Sequence, residues 1–214
     1  MNERDEVIYI VDDDARVREA LGELLESHGY RTESFSSAGE YVRTERIDRP
    51  STLILDVELP DMSGLDLQLE IAKGTHPPII FITGHGDIPS SVQAIRHGAV
   101  DFLTKPFSEE ALMRAVGMAL DRDRGARAER ADMMELRKRY ATLTSRERDV
   151  LPLVISGLLN KQAAAQLGIS EVTLQLHRRN VMHKMGAASL ADLVRIATRL
   201  QIPLTPTRRS DDGA

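Results

Sequence analysis

The chain has 214 residues, enough for one or two domains, and its 42% hydrophobic and 29% charged content is that of a globular protein. It has no cysteine, which excludes a disulfide framework and a thiolate metal site, and no apolar run approaches the length of a membrane-spanning helix. The net charge of −5 hides an acidic front and a basic back: residues 144–200 hold Arg146, Arg148, Lys161, Arg178, Arg179, Lys184, Arg195 and Arg199 against only Glu147, Asp149, Glu171 and Asp192, which makes the back part a candidate for nucleic acid.

The acidic opening, Met1-Asn2-Glu3-Arg4-Asp5-Glu6, does not read as a signal peptide, so a cytoplasmic protein without membrane association is expected. Residues 7–11 form an apolar strand that ends at Asp12-Asp13-Asp14, and a helix follows to Ser27 with Val17, Leu21, Leu24 and Leu25 at helical spacing. Residues 30–35 read as a second strand and 38–44 as a weak helix. Leu53-Ile54-Leu55 is a buried third strand closing on Asp56, followed by the turn Pro60-Asp61-Met62-Ser63-Gly64 and a helical stretch with Leu65, Leu67, Leu69 and Ile71. Residues 78–82 form a fourth strand ending at Thr83-Gly84-His85-Gly86-Asp87, and a helix covers 88–96. A fifth strand, 100–103, ends at Thr104-Lys105-Pro106, and a last helix starts at an N-cap, Ser108, and runs to about Leu120. Five alternations of strand and helix predict an α/β fold: a doubly wound, parallel, five-stranded sheet.

Ligands of such sheets bind at the carboxyl ends of the strands. Asp56 alone reads equally well as a turn cap, so the other strand ends decide. They supply Asp12, Asp13, Thr83 and Lys105. Close carboxylates need compensation, and a hard cation such as Mg2+ with a lysine provides it. The opening left over suits a phosphoryl group, neutralised by the cation and Lys105 and hydrogen-bonded by Thr83, with Asp56 as the carboxylate nucleophile. His85 lies in a glycine-flanked loop with no second histidine nearby and reads as a loop residue rather than a metal ligand. His28, His76 and His97 sit at helix ends or turns and need no role.

With Val11-Asp12-Asp13, Asp56, Pro60-Asp61-Met62-Ser63-Gly64, Thr83-Gly84-His85-Gly86 and Lys105-Pro106-Phe107, residues 5–122 resemble the receiver domain of two-component response regulators. The resemblance implies that Asp56 accepts a phosphoryl group from a phosphohistidine on a sensor histidine kinase. It implies that Asp12 and Asp13, with the backbone carbonyl of Glu58, place the Mg2+, and that Lys105 contacts the phosphoryl group. Thr83 and Phe102 would be a switch pair; Phe102 stands where many receivers carry tyrosine, so packing rather than a phenol hydrogen bond would carry the signal. A cis Lys105-Pro106 bond is also implied.

Residues 121–139 are rich in Arg, Glu, Asp and Ala, and Met133, Leu136, Tyr140 and Leu143 form a short heptad-like stripe. Two heptads are few for a coiled coil, so an ordinary helical connector with one contact face is expected. Thr144 and Glu147 then open a helix with a capping box, which Gly157 stops. Pro152 lies inside it, so a kink or a shortened helix is expected. Asn160 is read as the cap of a second helix, 161–167, closed by Gly168; Ser170 caps a third, to about Met185; residues 190–200 form a fourth.

The second and third helices read as a helix-turn-helix. At about 100° per residue, Leu174, Val181 and Met185 share the core face of the third helix, while Val172, Gln175, Leu176, Arg179 and His183 lie opposite. That mixture of methyls, amide and guanidinium suits a DNA groove. Lys161, His177, Arg178 and Lys184 lie where phosphates could be met.

With Leu143-Thr144-Ser145-Arg146-Glu147-Arg148-Asp149-Val150-Leu151, Gly157-Leu158-Leu159-Asn160-Lys161-Gln162-Ala163-Ala164 and Val172-Thr173 through Met182, residues 142–200 resemble the LuxR-type helix-turn-helix of the FixJ/NarL class. Pro152 departs from that pattern, as does Gln175, where lysine is frequent. The expected organisation is a receiver at 1–122, a helical linker at 123–141, a small all-α four-helix DNA-binding domain at 142–204 and a polar tail at 205–214. The DNA contacts expected are Lys161, Thr173, Gln175, Leu176, His177, Arg178, Arg179 and Lys184. The chain would be a transcription regulator and not an enzyme, beyond Mg2+-dependent phosphorylation and dephosphorylation of Asp56 itself. It would bind a two-fold operator as a homodimer and, by analogy with FixJ, act with RNA polymerase as an activator. Two rivals are a phosphatase working through an aspartyl-phosphate, for which Glu58 is the only candidate second acid, and a DNA-binding protein indifferent to phosphorylation.

Overall fold

The computed structural model describes residues 5–45, 48–84 and 88–205. The chain divides into two compact units, Met1–Arg127 and Ala128–Ala214.

The first unit is a five-stranded, wholly parallel sheet in the order β2-β1-β3-β4-β5, built from β1 (Val7–Val11), β2 (Arg31–Phe35), β3 (Ser51–Asp56), β4 (Ile79–Thr83) and β5 (Asp101–Thr104). The helices between them are α1 (Ala15–Ser27), α2 (Ala38–Arg43), α3 (Gly64–Ile71) and α4 (Ile88–Arg96), and α5 (Glu109–Ala141) follows β5. The continuous apolar runs of β1 (Val7–Val11), β3 (Leu53 to Leu55) and β4 (Ile79 to Ile82) arise because both faces of the sheet are covered. Ile8, Ile10, Ile54, Ile80, Ile82 and Leu103 pack with Leu21 and Leu25 of α1 and Leu112, Val116 and Leu120 of α5. Val7, Tyr9, Val11, Leu53, Leu55, Ile79 and Phe81 pack on the other face with Tyr41 of α2, Leu67 of α3 and Ala94 of α4. This alternation fixes the register, since a slip of one residue would exchange the two cores.

Two differences from expectation stand out here. β3 begins at Ser51 rather than Leu53, because its polar first residues find partners: the Ser51 amide donates to Asp123 at 2.9 Å and the Thr52 hydroxyl to the Pro78 carbonyl at 2.9 Å. The helix expected to finish near Leu120 continues without a break to Ala141. Beyond Leu120 its residues are good helix formers, supported by the one-turn ion pairs Asp123–Arg127 at 2.7 Å and Glu135–Arg139 at 3.0 Å.

The second unit holds the last part of α5 and four further helices, α6 (Ser145–Ile155), α7 (Asn160–Leu167), α8 (Glu171–Met185) and α9 (Leu190–Arg199). Their core includes Val150, Val154, Leu174, Val181, Met185 and Leu193. Tyr140 and Leu143 of the heptad-like stripe pack into this core, so the stripe serves as a contact face. The capping box of α6 is formed: Thr144 N–H donates to Glu147 at 2.8 Å, and Glu147 N–H to the Thr144 hydroxyl at 3.3 Å. Pro152 does not shorten α6, which runs on to Ile155. Burial of Leu153, Val154 and Ile155 offsets the roughly 3 kcal/mol that an interior proline costs. Asn160 is not the cap expected of it. Leu159 holds the cap position, its N–H donating to Gln162 at 3.0 Å, and the side-chain Oδ1 of Asn160 accepts from Arg178 instead. Left-handed Gly168 (φ 65°) and Gly186 (φ 68°) end α7 and α8.

Candidate functional site

Where β1 leaves the sheet, the Asp12 amide donates to the Phe35 carbonyl of β2, which holds the turn in line with the strand. Arg18, one turn into α1, donates to the Asp12 and Asp13 carbonyls at 2.7 and 3.0 Å. Asp12 is thereby fixed with its side chain fully buried, and Asp56, at the end of β3, is 5% exposed. Carboxylate oxygens of Asp12, Asp13 and Asp56 lie within 4.8 Å of one another. The Lys105 ammonium, from the loop after β5, reaches both buried carboxylates at 2.6 Å. The Lys105-Pro106 peptide is cis. The Glu58 amide donates to the second oxygen of Asp56 at 3.0 Å. Thr83 is buried at the end of β4, and its carbonyl accepts from the Lys105 amide at 2.8 Å. Phe102, beside Phe81 in the β4–β5 ladder, is half-buried, with the ring centroids 6.2 Å apart. His85 lies outside the described residues.

Burial holds the Asp12 carboxyl above the ordinary carboxylate range, although Lys105 pulls it the other way. Burial also acts to lower the Lys105 ammonium, but its bonds to Asp12 and Asp56 prevail and keep it above the usual lysine value. Among the described residues, three clustered carboxylates thus meet one ammonium, bonded to two of them, and the Arg18 guanidinium, bonded to the backbone carbonyls of Asp12 and Asp13. A hard dication fits this all-oxygen donor set and its unbalanced negative charge.

The second unit presents a different surface. Leu174, Val181 and Met185 of α8 are fully buried, while Val172 and Leu176 on the opposite side are 76% and 57% exposed. Thr173, Gln175 and Arg179 are exposed beside them, as is Lys161 on α7; His177 is half-buried. Ser170 caps α8 by accepting from the Thr173 amide at 3.1 Å. Two of the expected phosphate contacts are engaged inside the unit. Arg178 donates to Asn160 at 3.0 Å, tying α8 to α7 and leaving most of its five donors free of that bond. Lys184 is bound to the buried Glu147 at 2.7 Å and to the Thr142 carbonyl at 3.3 Å. Lys184 thus also holds the framework: the Glu147 carboxylate, 3% exposed, needs a cation partner.

The profile described as "Response regulator receiver domain" matches residues 8–117, and that described as "Bacterial regulatory proteins, luxR family" matches residues 141–197. The chain is similar to the response regulator protein TodT of Pseudomonas putida, 48% identical over 202 residues that cover 94% of this chain and 89% of TodT. It is 45% identical to nodulation protein W of Bradyrhizobium diazoefficiens over 95% of this chain and 90% of that protein. Among solved structures, the response regulator StyR superposes with a TM-score of 0.80 at 42% identity, covering 92% of this chain and all of StyR. The chain belongs to the FixJ/NarL-type response regulators.

As a response regulator with this pair of domains it is a two-component transcription regulator and not a classical enzyme; the receiver implies a sensor kinase as partner and the luxR-type domain implies DNA. No described helix is long and apolar enough to cross a membrane. Sequence reasoning brought Asp12, Asp13, Asp56 and Lys105 to one rim, with Thr83 at the adjoining strand end. It missed Arg18, whose only signal is its place one turn after the Asp12-Asp13 pair. It also missed Asp61. That carboxylate accepts from the Ala38 and Gly39 amides at 3.2 and 2.8 Å, so the turn after Asp56 caps α2, and the bond to Gly39 holds Asp61 below the usual carboxylate range.

Proposed function

We propose that Asp56 is the phospho-acceptor of this regulator and that its phosphorylation by a sensor histidine kinase governs DNA binding by α8. The observation that carries the reading is the Lys105 ammonium held at 2.6 Å from both Asp12 and Asp56, two carboxylates buried at adjacent strand ends. Asp12, Asp13, Asp56 and the Glu58 carbonyl would hold a Mg2+ ion, which when bound supplies positive charge beside the Asp56 carboxylate. A carboxylate oxygen of Asp56 attacks phosphorus and the kinase imidazole departs; Lys105 then faces the phosphoryl oxygens, and the Thr83 hydroxyl moves to them. Phe102 turns into the space Thr83 leaves, and packing carries the change along β4 and β5.

The activated form is a homodimer that meets a two-fold operator, half-site by half-site. Thr173, Gln175, Leu176 and Arg179 read the groove, while Lys161, His177 and Arg178 meet phosphates. The regulator works in the cytoplasm and activates transcription through RNA polymerase. In domain terms, residues 1–122 receive the signal, 123–141 connect, 142–204 bind DNA and 205–214 form a polar tail. Asp56→Asn tests the scheme: it is expected to abolish phosphorylation and the phosphorylation-dependent gain in DNA affinity. Phosphodonor-stimulated DNA binding that survives in Asp56→Asn would reject it.

A further inference from the structure

Arg139 and Glu135 precede the matched luxR-type residues 141–197, yet Arg139 reaches the end of the recognition helix. Arg139, on the final turns of α5, donates from Nη1 to the Met185 carbonyl at 3.5 Å, the last residue of α8. Glu135, one turn earlier, accepts from Arg139 Nε at 3.0 Å and orients the guanidinium. The group lies directly over Gly186: a Cβ there would come within 3.3 Å of Arg139 Cζ and closer still to Nη1. Gly186 thus serves twice, adopting φ 68° to end α8 and leaving room for the guanidinium. Lys184, on the same last turn of α8, donates to the Thr142 carbonyl at 3.3 Å, just past the end of α5. Farther back, Arg199 of α9 is bonded to Glu129 of α5 at 2.8 Å. The second half of α5 is therefore strapped to the DNA-binding helices along its length.

We infer that Arg139 is a positioning residue for DNA recognition. Its cation sits at the negative end of the α8 dipole and joins the orphan carbonyls of the last turn. Arg139 so fixes the final turn of α8 to the connector without touching DNA. The inference rests on α8 being the DNA-reading helix, and it makes the connector part of the reading head.

The test compares Arg139→Gln, Arg139→Lys and Glu135→Gln in the full-length chain. The probe is a duplex selected from a random-sequence pool by the wild-type chain, titrated over a range of salt concentrations. Cap and dipole contributions of this kind predict a loss of affinity of about two- to five-fold for Arg139→Gln. The loss should be the same at every salt concentration, because no phosphate contact is removed. Amide hydrogen exchange at Gly186 and Ala187, whose N–H groups close the last turn on His183 and Met182, should quicken. Arg139→Lys should restore most of both. Glu135→Gln leaves the Arg139 cation in place and weakens its orienting partner, so a smaller quickening of the same amide exchange is expected even if Arg139→Gln fails to fold. Unchanged affinity in all three variants would overturn the inference. So would a loss accompanied by a salt slope lower by about one with exchange unaltered, the mark of a direct phosphate contact. A wild-type chain that selects no duplex would overturn the DNA-reading assignment of α8 itself.

Discussion

Gly64→Ala is expected to disable the acidic pocket from a position that carries no functional group. Gly64 opens α3 immediately after the turn that follows Asp56, and its amide donates to the Val57 carbonyl at 2.9 Å. An alanine Cβ would stand 3.1 Å from the Asp56 carbonyl carbon and 3.2 Å from Leu55 Cγ, and nearer still to the Asp56 carbonyl oxygen. Comfortable separations between carbon atoms are about 3.5–4.0 Å. The two nearest atoms in the way are buried backbone of β3, so the strain cannot be relieved by swinging a flexible side chain aside. Overpacking of this kind costs about 1–3 kcal/mol. In a unit of this size that corresponds to a fall in melting temperature of roughly 5–12 °C. The same displacement moves the Asp56 carboxylate against Lys105, which it now meets at 2.6 Å. A misplacement near 1 Å at a reacting group can cost about 100-fold in rate. The assay is phosphorylation by a small acyl-phosphate donor, run beside thermal unfolding. Gly117→Ala is the control: nothing lies within 4 Å of a Cβ there, so a stabilisation of about 0.5–1 kcal/mol is expected. A Gly64→Ala chain that melts with the wild type and accepts phosphate at the same rate would refute the steric reasoning.

Lys105→Met leaves Asp12 and Asp56 without their common cation. It should lower stability in metal-free buffer by about 2–3 kcal/mol, less than for a fully enclosed pair because the lysine side chain is 24% exposed. Added Mg2+ should then raise the melting temperature more in the variant than in the wild type; an equal response would show that ion and lysine do not answer the same charge. Glu147 opposes burial with bonds from Lys184 and Thr144 that hold its carboxyl down, from an ordinary 4.5 to about 2. A depressed folded value means stability that is present above pH 4.5 and lost as the pH falls toward 2, on the order of 2–3 kcal/mol. Glu147→Gln should lack that component. Urea midpoints of wild type and variant should therefore differ at pH 6 and converge near pH 2, whereas a constant gap would contradict the assignment.

Much of the sheet was legible because strands buried on both faces leave continuous apolar runs, and the residue closing each run falls at the rim where ligands bind. Asp12, Asp56, Thr83 and Lys105 could be grouped without coordinates for that reason. A helical connector was legible from the stripe of Met133, Leu136 and Tyr140, but not its continuity with the helix before it: between Leu120 and Met133 the helix is held by propensity and ion pairs, which leave no hydrophobic pattern. The Pro60–Gly64 turn could be read as a turn, but not the approach of Gly64 to the Asp56 backbone, which depends on how α3 folds back on β3. Lys184 was assigned by its place on α8. Glu147, far away in sequence, claims it, and a helical projection carries no information about such a partner. The Asn160 cap was misread for a related reason: its side chain is drawn into the bond with Arg178.

The two units use one device to opposite effect. Each brings a lysine from a distant part of the chain to a buried carboxylate, at 2.6 Å for Asp12 and 2.7 Å for Glu147. Glu147 has one ammonium to itself and also accepts from the Thr144 amide, so its charge is fully answered and its carboxyl is driven down. Asp12 shares its ammonium with Asp56, and burial, aided by the Asp56 charge, outweighs Lys105 and drives its carboxyl up. Glu147 and Lys184 thus form a closed structural pair, whereas Asp12, Asp13 and Asp56 cluster about one shared ammonium. A pocket in that second condition has a reason to take up a dication, and the framework of α6 and α8 has none.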